Sequence, residues 1–236
     1  MTPAMTRVAR AAGAAGLAAL GLSCAAFHVT ALAPCAPAAA TAQTHLEIFD
    51  RPFAGAYRVA STFDHDLPLL FEDRNNDLLN SCGQRENGDN GHTGLDWPMP
   101  TGTPLLAVAD GRIVRAEQEP VTCGRRPGPG AKVVVIEMRP NATDVIRASY
   151  GHLDRIDVAV GDTVRVGDVI GTSGNTGCSN GPHLHFEAAR ILDGREVLID
   201  PYGWHSKTLT DPWSADERGA ISLWLWRPGA APRLFR

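Results

Sequence analysis

The stretch Val160-Gly161-Asp162-Thr163-Val164-Arg165-Val166-Gly167-Asp168-Val169-Ile170-Gly171 shows the pattern that runs through most of the chain. Short apolar or alternating runs are interrupted by Gly-Asp pairs, which favour turns. No segment shows the long 3.6-residue period of an amphipathic helix. The runs that predict strands are Thr103 to Val108, Gly111 to Ala116, Lys132 to Met138, Asp144 to Tyr150, Val164 to Ile170 and His183 to Ala188. Strands at this spacing predict an all-β fold with an antiparallel, barrel-like sheet.

Two long connections interrupt this pattern. Residues 64–91 are rich in Asp, Asn, Glu and Arg, and residues 117–131 contain several Pro and Gly. Long irregular segments in a compact β domain tend to border a binding groove, so we expect a groove between these loops. Near the C-terminus, the run Ile221 to Trp226 alternates in a way that favours a closing strand, apolar on both faces. An aromatic platform for a sugar or peptide ligand is the alternative.

Size and charge limit the classes of function. With 236 residues and 25.2 kDa, the chain has room for one domain with extensions or two small domains. Residues 1–42 contain Arg7 and Arg10 and no acidic side chain, so the remainder carries 26 acidic and 20 basic side chains. This acidic balance argues against binding nucleic acid through its phosphates.

The N-terminus has the pattern of a secretory signal peptide. Arg7 and Arg10 precede an uncharged run, most apolar near Leu17 to Leu22, that ends near the small residues Ala38-Ala39-Ala40. Residues 1–42 are therefore predicted to be removed on export, which implies a secreted or cell-envelope protein with no stable membrane insertion afterwards. An uncleaved signal anchor and lipid attachment at Cys24 are the alternatives.

Cleavage there leaves three cysteines, Cys82, Cys123 and Cys178, in an oxidising compartment. Two of them can pair and one is left odd, and the sequence does not choose among the three pairings. Each stands beside Gly, Ser or Asn, which favours disulfides between long loops. None belongs to a C-x-x-C pair, which disfavours a metal site.

Four histidines fall into three short motifs: His92-Thr93-Gly94-Leu95-Asp96, Tyr150-Gly151-His152-Leu153 and His183-Leu184-His185-Phe186-Glu187. On a strand, His183 and His185 project from one face about 7 Å apart, while Leu184 turns into the core. His65, His45 and His205 belong to no such motif and are expected to be surface or loop residues. No His-Glu-x-x-His or Gly-x-Ser-x-Gly motif occurs.

The spacing of His92 and Asp96 requires a bend if both are to bind one metal. Four residues of straight strand span roughly 13 Å, whereas two ligands of one zinc lie within ~3 to 4 Å of each other. Gly94 is the residue that allows the chain to bend. Two His and one Asp would leave a fourth position on zinc open for water, which is the layout of a catalytic site.

These motifs resemble those of the lysostaphin-type, or LytM-like, zinc metallopeptidases of bacterial cell walls. The resemblance covers roughly Val59 to Trp204 and includes the three histidine motifs, together with further Gly-rich segments between them. It implies that His92, Asp96 and His185 bind one zinc ion and that His152 and His183 serve catalysis. It also implies cleavage of peptide cross-links or bridges in peptidoglycan. The longer loops at 64–91 and 117–131 and the extra tail leave the choice of substrate open.

The domain organisation predicted from these features is a signal peptide at 1–42, a lead-in at 43–57, the peptidase domain at 58–204 and a Trp-rich extension at 205–236.

The sequence leaves open which of His152 and His183 is the general base. It also leaves open whether the bond cleaved is a Gly-Gly bridge or a D-amino-acid cross-link, and whether residues 43–57 inhibit the site. The alternatives are a non-catalytic wall-binding or activator protein and a zinc peptidase for protein substrates. A lipoyl-type carrier is disfavoured because Lys132 and Lys207, the only lysines, lie far from the hairpin at 160–170.

Overall fold

β-Structure accounts for all regular elements in the computed structural model, which describes residues 45–66, 77–87, 91–123, 126–213 and 223–234. Within these ranges there are strands and turns and no helix. The all-β prediction is confirmed. The strands are β1 (His45–Phe49), β2 (Asp77–Leu79), β3 (Arg85–Asn87), β4 (Leu95–Pro98), β5 (Pro104–Leu106), β6 (Gly111–Glu119), β7 (Thr122–Cys123), β8 (Arg126–Pro127), β9 (Ala131–Met138), β10 (Ile146–Gly151), β11 (Arg155–Ile156), β12 (Thr163–Val164), β13 (Val169–Thr172), β14 (His183–Leu192), β15 (Arg195–Ile199) and β16 (Trp224–Trp226).

The main sheet has seven strands, in the order β12-β6-β9-β10-β14-β15, with β4 also paired to β14. All its pairings are antiparallel. A second sheet, β11-β13-β5, is antiparallel too. The long strand β14 therefore pairs with β10 along one edge and with β4 and β15 along the other.

The core fills the space on one face of β14. Leu184 and Phe186 are fully buried there, and the Phe186 ring contacts Tyr150 and Trp97 edge to face. Complete burial of an aromatic or leucine side chain contributes about 1.5 to 3 kcal/mol each, so this face fixes which side chains of β14 point outward. His183, His185 and Glu187 alternate with the buried residues and lie on the opposite face.

One predicted strand is wrong. Val164 to Ile170 is not a single strand, because Thr163–Val164 pairs with β6 and Val169–Thr172 pairs with β5 and β11 in the other sheet. Gly167, with φ +86°, turns the chain between them. The apolar alternation continues across a turn that takes the chain from one sheet to the other.

The two chain ends of the described fold pair with each other. Strand β1 lies parallel to β16, and Phe49, Leu225 and Trp226 are fully buried in the main core. The pairing of β16 with β1 supports the prediction of a closing strand near the C-terminus. Because Trp226 is buried in the core, its ring is not available as a platform for a ligand. The boundaries predicted at 58 and 204 remain a prediction, and residues on both sides of them share one core.

The cysteines link loops. Cys123 and Cys178 form a disulfide with their Cα atoms 5.4 Å apart. In the full chain Cys82 is disulfide-bonded as well. The predicted odd thiol refers to the chain without residues 1–42 and stays a prediction.

The predicted signal peptide at 1–42 lies outside the described residues. Among the described residues, no helix has the length and apolar character needed to cross a membrane.

Candidate active site

Strand β14 brings the three histidine motifs together. Its pairing with β4 places Asp96 directly opposite His185, and its pairing with β10 places Gly151 opposite His185 on the other side. His152 follows Gly151 at the end of β10, with φ +63°. The five residues expected from the sequence, His92, Asp96, His152, His183 and His185, all line one cavity of about 470 Å³.

The predicted bend between His92 and Asp96 is present. Nε2 of His92 lies 3.2 Å from Oδ1 of Asp96, far closer than a straight strand would allow. A Cβ atom at Gly94 would overlap the carbonyl oxygen of Phe186, so only glycine lets the chain pass so close to β14. Both ends of the bend are held by the preceding segment, since the Asp64 amide donates to the His92 carbonyl and Ser61 pairs with Asp96.

Hydrogen bonds fix which nitrogen of each ligand histidine faces the cluster. Nδ1 of His92 lies 2.8 Å from the carbonyl oxygen of Thr62. A carbonyl can only accept, so Nδ1 carries the proton and the lone pair is on Nε2. Nε2 of His185 lies 3.2 Å from Oε1 of Glu187, which leaves its lone pair on Nδ1.

The three candidate ligand atoms form a small triangle. Its sides are 3.2 Å from His92 Nε2 to Asp96 Oδ1, 3.2 Å from His92 Nε2 to His185 Nδ1 and 2.8 Å from His185 Nδ1 to Asp96 Oδ1. Ligands bound tetrahedrally to zinc at about 2.0–2.1 Å lie about 3.3 Å apart. The triangle and its two nitrogens and one oxygen therefore fit a zinc ion, and of the described residues only these three form such a group.

The carboxyl group of Asp96 is held ionised. Burial opposes its charge, but His185 and His92, when their cluster-facing nitrogens are protonated, donate hydrogen bonds that outweigh burial, and the pKa of Asp96 lies well below the usual range. Glu187 is affected in the same way: burial raises its pKa, while hydrogen bonds from His185 and Thr93 lower it further than burial raises it. Both side chains are therefore ionised. Asp96 is a candidate metal ligand, and Glu187 is the hydrogen-bond partner of the candidate ligand His185.

The other two histidines face the same cavity. Nδ1 of His152 lies 2.7 Å from the carbonyl oxygen of Thr176, and Nδ1 of His183 lies 2.8 Å from that of Gly181. Each Nδ1 therefore donates its proton to a carbonyl, which leaves the lone pair of the neutral ring on Nε2. Nε2 of His183 is 3.5 Å from Oδ1 of Asp96, and the His152 and His183 ring centroids are 4.6 Å apart. Burial, the largest influence, lowers the pKa of His152 and favours the neutral ring.

The rest of the cavity wall comes mainly from the loop between β13 and β14. Besides the five polar side chains, the lining consists of Ala60, Pro98, Cys178, Ser179, Asn180, Gly181 and Pro182. Of the described residues in the two long connections at 64–91 and 117–131, none lines this cavity, and Cys123 reaches it only through its disulfide to Cys178. Glu187 belongs to the third histidine motif, but no role was predicted for it from the sequence. Its i, i+2 spacing from His185 on a strand could have predicted that the two side chains lie side by side on one face.

His65 lies in a turn, as expected for a loop residue, but it is not on the surface. His65 is fully buried, with Nδ1 2.8 Å from Oδ1 of Asp211 and Nε2 3.0 Å from Oδ2 of Asp200. Burial alone would lower its pKa, but the hydrogen bonds to Asp200 and Asp211 outweigh burial and raise the pKa to about 9. An imidazolium between two carboxylates therefore joins the segment before the active site to the chain beyond β15. His205 is half-buried, and the side chain of His45 lies outside what is described.

We expect the His65 imidazolium to stabilise the fold in a pH-dependent way. Since its folded pKa is about 9 and the unfolded value about 6.5, its contribution is complete below pH ~6.5 and is lost as the pH rises through 9. His65→Gln should lower the free energy of unfolding by about 3–5 kcal/mol at pH 6, because two buried carboxylates lose their cation. Urea denaturation at pH 6 to 9.5 measures this. Parallel pH curves for the two proteins would contradict the assignment.

The family comparison agrees with this geometry. The family model described as peptidase family M23 matches residues 90–201, a range that contains His92, Asp96, His152, His183 and His185.

Two staphylococcal relatives are similar over this region. The glycyl-glycine endopeptidase ALE-1 of Staphylococcus capitis is 42% identical over 115 residues, which are 49% of this chain and 29% of that protein. Lysostaphin of Staphylococcus simulans is 41% identical over 142 residues, which are 55% of this chain and 27% of lysostaphin. The chain thus spans less than a third of the length of these relatives.

Two solved structures are also similar. The crystallised catalytic domain of lysostaphin is 34% identical, with 48% of this chain and 77% of that domain covered and a TM-score of 0.39. A zinc-containing peptidase of Vibrio cholerae is 29% identical, with coverage of 64% and 39% and a TM-score of 0.44. Residues 90–201, which contain the three histidine motifs, belong to peptidase family M23.

Proposed function

We propose that this chain is a zinc-dependent endopeptidase that hydrolyses peptide bonds in the cross-links or bridges of peptidoglycan. The observation that carries the proposal is the triangle of His92 Nε2, Asp96 Oδ1 and His185 Nδ1, with sides of 2.8–3.2 Å, beside two further imidazoles in one cavity. A structural zinc site has four protein ligands, whereas three protein ligands leave a position for water or substrate.

The proposed metal site holds one zinc ion through these three atoms. Bound zinc would supply a Lewis acid that polarises a carbonyl group and lowers the pKa of water toward neutrality. Glu187 supports the site by accepting the Nε2 proton of His185 at 3.2 Å, and Thr93 donates to the same carboxylate at 2.5 Å. The Thr62 carbonyl does the same for His92. These outer partners occupy the other ring nitrogen of each histidine, so the nitrogen that faces the cluster is the one left to bind the metal.

The chain's own acid–base chemistry is assigned to His152 and His183. One of them accepts the proton of the attacking water at Nε2, since Nδ1 of each ring is occupied by a carbonyl. The other donates a hydrogen bond to the oxygen that becomes negative as the carbonyl is attacked, and it helps to protonate the leaving amine. Imidazole suits both tasks because its unperturbed pKa is near neutrality.

Substrate and location complete the proposal. The relative ALE-1 is a glycyl-glycine endopeptidase by name, which supports a peptidoglycan bridge peptide as the substrate class here. Residues 1–42 are proposed to act as the signal peptide that exports the chain to the cell envelope or medium, where the Cys123–Cys178 disulfide can form.

Digestion of isolated peptidoglycan tests the proposal. The full chain is incubated with two cell-wall preparations, one with glycine bridges and one with direct D-amino-acid cross-links, and the soluble fragments are identified by mass spectrometry. We expect new peptide ends with zinc and none with a chelator. The wall that is digested identifies the bond. If zinc binds and neither wall is cut, the proposed peptidoglycan substrate is wrong, and a protein substrate or a binding role replaces it.

A further inference from the structure

One loop orients both catalytic histidines. We call residues 173–182 the histidine-holding loop. Its Thr176 carbonyl accepts from Nδ1 of His152 at 2.7 Å, and its Gly181 carbonyl accepts from Nδ1 of His183 at 2.8 Å. The hydroxyl of Ser179 lies 3.2 Å from the same nitrogen of His183. The direction in which Nε2 of each ring points therefore depends on where this loop sits.

The first half of the loop is hydrogen-bonded to its surroundings. The Ser173 amide donates to the carbonyl of Thr103 at 2.9 Å. The hydroxyl of Thr176 accepts from the Lys132 amide at 3.0 Å and donates to the carbonyl of Leu153 at 2.9 Å. These bonds fix the Thr176 carbonyl, and with it the acceptor of His152.

The second half has a different anchor. In the part of the chain that the structure describes, the hydrogen bonds of residues 177–181 stay within the segment from Asn175 to His183. This half is tied to other segments by the covalent bond from Cys178 to Cys123 and, at the end of the loop, by a hydrogen bond from the Met99 amide to the Pro182 carbonyl at 3.3 Å. Cys178 also lines the cavity, next to Ser179 and Asn180. The anchor thus lies one residue from Ser179 and three from Gly181, the two residues that hold His183.

The surroundings of Cys123 leave space for the disulfide. Cys123 ends β7, which forms a small hairpin with β8 beyond the end of β6. A Cβ atom at Gly128 would overlap Sγ of Cys123, so glycine leaves room for the sulfur. On the loop side, Gly177 has φ +79°, and a Cβ there would lie 2.6 Å from Cβ of Ala131. Glycines therefore allow the hairpin, β9 and the histidine-holding loop to approach closely at the disulfide.

We propose that the Cys123–Cys178 disulfide is a positioning link for catalysis. It holds the histidine-holding loop in place, so that the rings of His183 and His152 face the scissile bond together. Its effect on turnover rests on the proposed function, whereas its effect on the histidine rings does not. Loss of the link frees a five-residue segment without regular structure, and displacement of a catalytic group by about 1 Å can cost up to 10²-fold in rate. The metal ligands lie on β4, β14 and the segment before β4, so they stay in place.

The test compares the full chain with the double variant Cys123→Ser/Cys178→Ser. We expect kcat to fall about tenfold with KM changed less than about twofold, while one zinc per chain is retained. Histidine ring NMR gives a second readout: the slowly exchanging Nδ1 protons of His183 and His152 are expected in the native chain, and the His183 signal is expected to be lost in the variant. Val197→Ala, in the separate small cluster around Phe63, is the control for a general loss of stability and should leave kcat and both signals unchanged.

Single variants separate the bond from the cavity lining. Cys123 does not line the cavity, yet Cys123→Ser should lower kcat as much as Cys178→Ser, because both break one bond. Native kcat and ring signals in Cys123→Ser would overturn the proposal. If the native chain cuts no peptidoglycan, the proposed function fails, and the ring signals still decide whether the link positions His183.

A reduction experiment avoids any defect in folding. In a Cys82→Ser background, the folded chain is treated with a water-soluble phosphine. The phosphine is oxidised to its oxide with oxygen from water, while Cys123 and Cys178 become thiols. We expect loss of the His183 ring signal and of kcat to follow the appearance of the Cys123 and Cys178 thiols, which alkylation and peptide mass spectrometry distinguish from Cys24 and Cys35. Full kcat and unchanged ring signals after complete reduction would refute the positioning role.

Discussion

His185→Ala is expected to abolish zinc binding and to lower kcat/KM by more than a hundredfold. Nδ1 of His185 is one corner of the ligand triangle, 2.8 Å from Asp96 and 3.2 Å from His92. Loss of an outer partner of a ligand alone costs about 10–100-fold in metal affinity or activity, so loss of the ligand itself should cost more. Zinc content by elemental analysis, together with the rate of peptide release, measures both effects.

The matched control for this prediction is His205→Ala, which removes a half-buried imidazole outside the cavity lining. It should keep one zinc and the native rate. A His185→Ala protein that still holds one zinc with native affinity would contradict the ligand assignment.

His152→Ala is expected to separate chemistry from metal binding. The ring of His152 lines the cavity, and its centroid lies 5.7 Å from the centroid of the His185 ring. His152 is not one of the three residues of the ligand triangle. The variant should keep one zinc and lose about 10²–10⁴-fold in kcat, the range for removal of a general acid or base. The same holds for His183→Ala, and the pH dependence of residual activity in the two variants would distinguish base from oxyanion partner. Native turnover in His152→Ala would refute its role.

The site was predictable from the sequence because its geometry is local. The i, i+2 spacing of His183 and His185 places both rings on one face of any strand, and the buried Leu184 and Phe186 fix which face. Gly94 could be singled out because a metal shared by His92 and Asp96 requires a bend between them. The structure adds a second reason for this glycine, since the chain there lies against the Phe186 carbonyl.

Other features depend on contacts far apart in the chain, and these were missed. His65 is held by Asp200 and Asp211, which are 135 and 146 residues away, so nothing in its neighbourhood suggested burial. The parallel pairing of β1 with β16 likewise joins the two ends of the described fold. The strand expected from Val164 to Ile170 failed for a different reason: alternation alone cannot show that Gly167 takes the chain from one sheet to another.

Reconstitution of metal-free protein tests the central claim most directly. The full chain is stripped with a chelator, zinc is added back in steps, and the release of new peptide ends from peptidoglycan is measured at each step. The triangle of His92, Asp96 and His185 predicts no activity without metal and a linear rise that ends at one zinc per chain. Activity in the stripped protein, or a rise that continues to two zinc ions per chain, would contradict it.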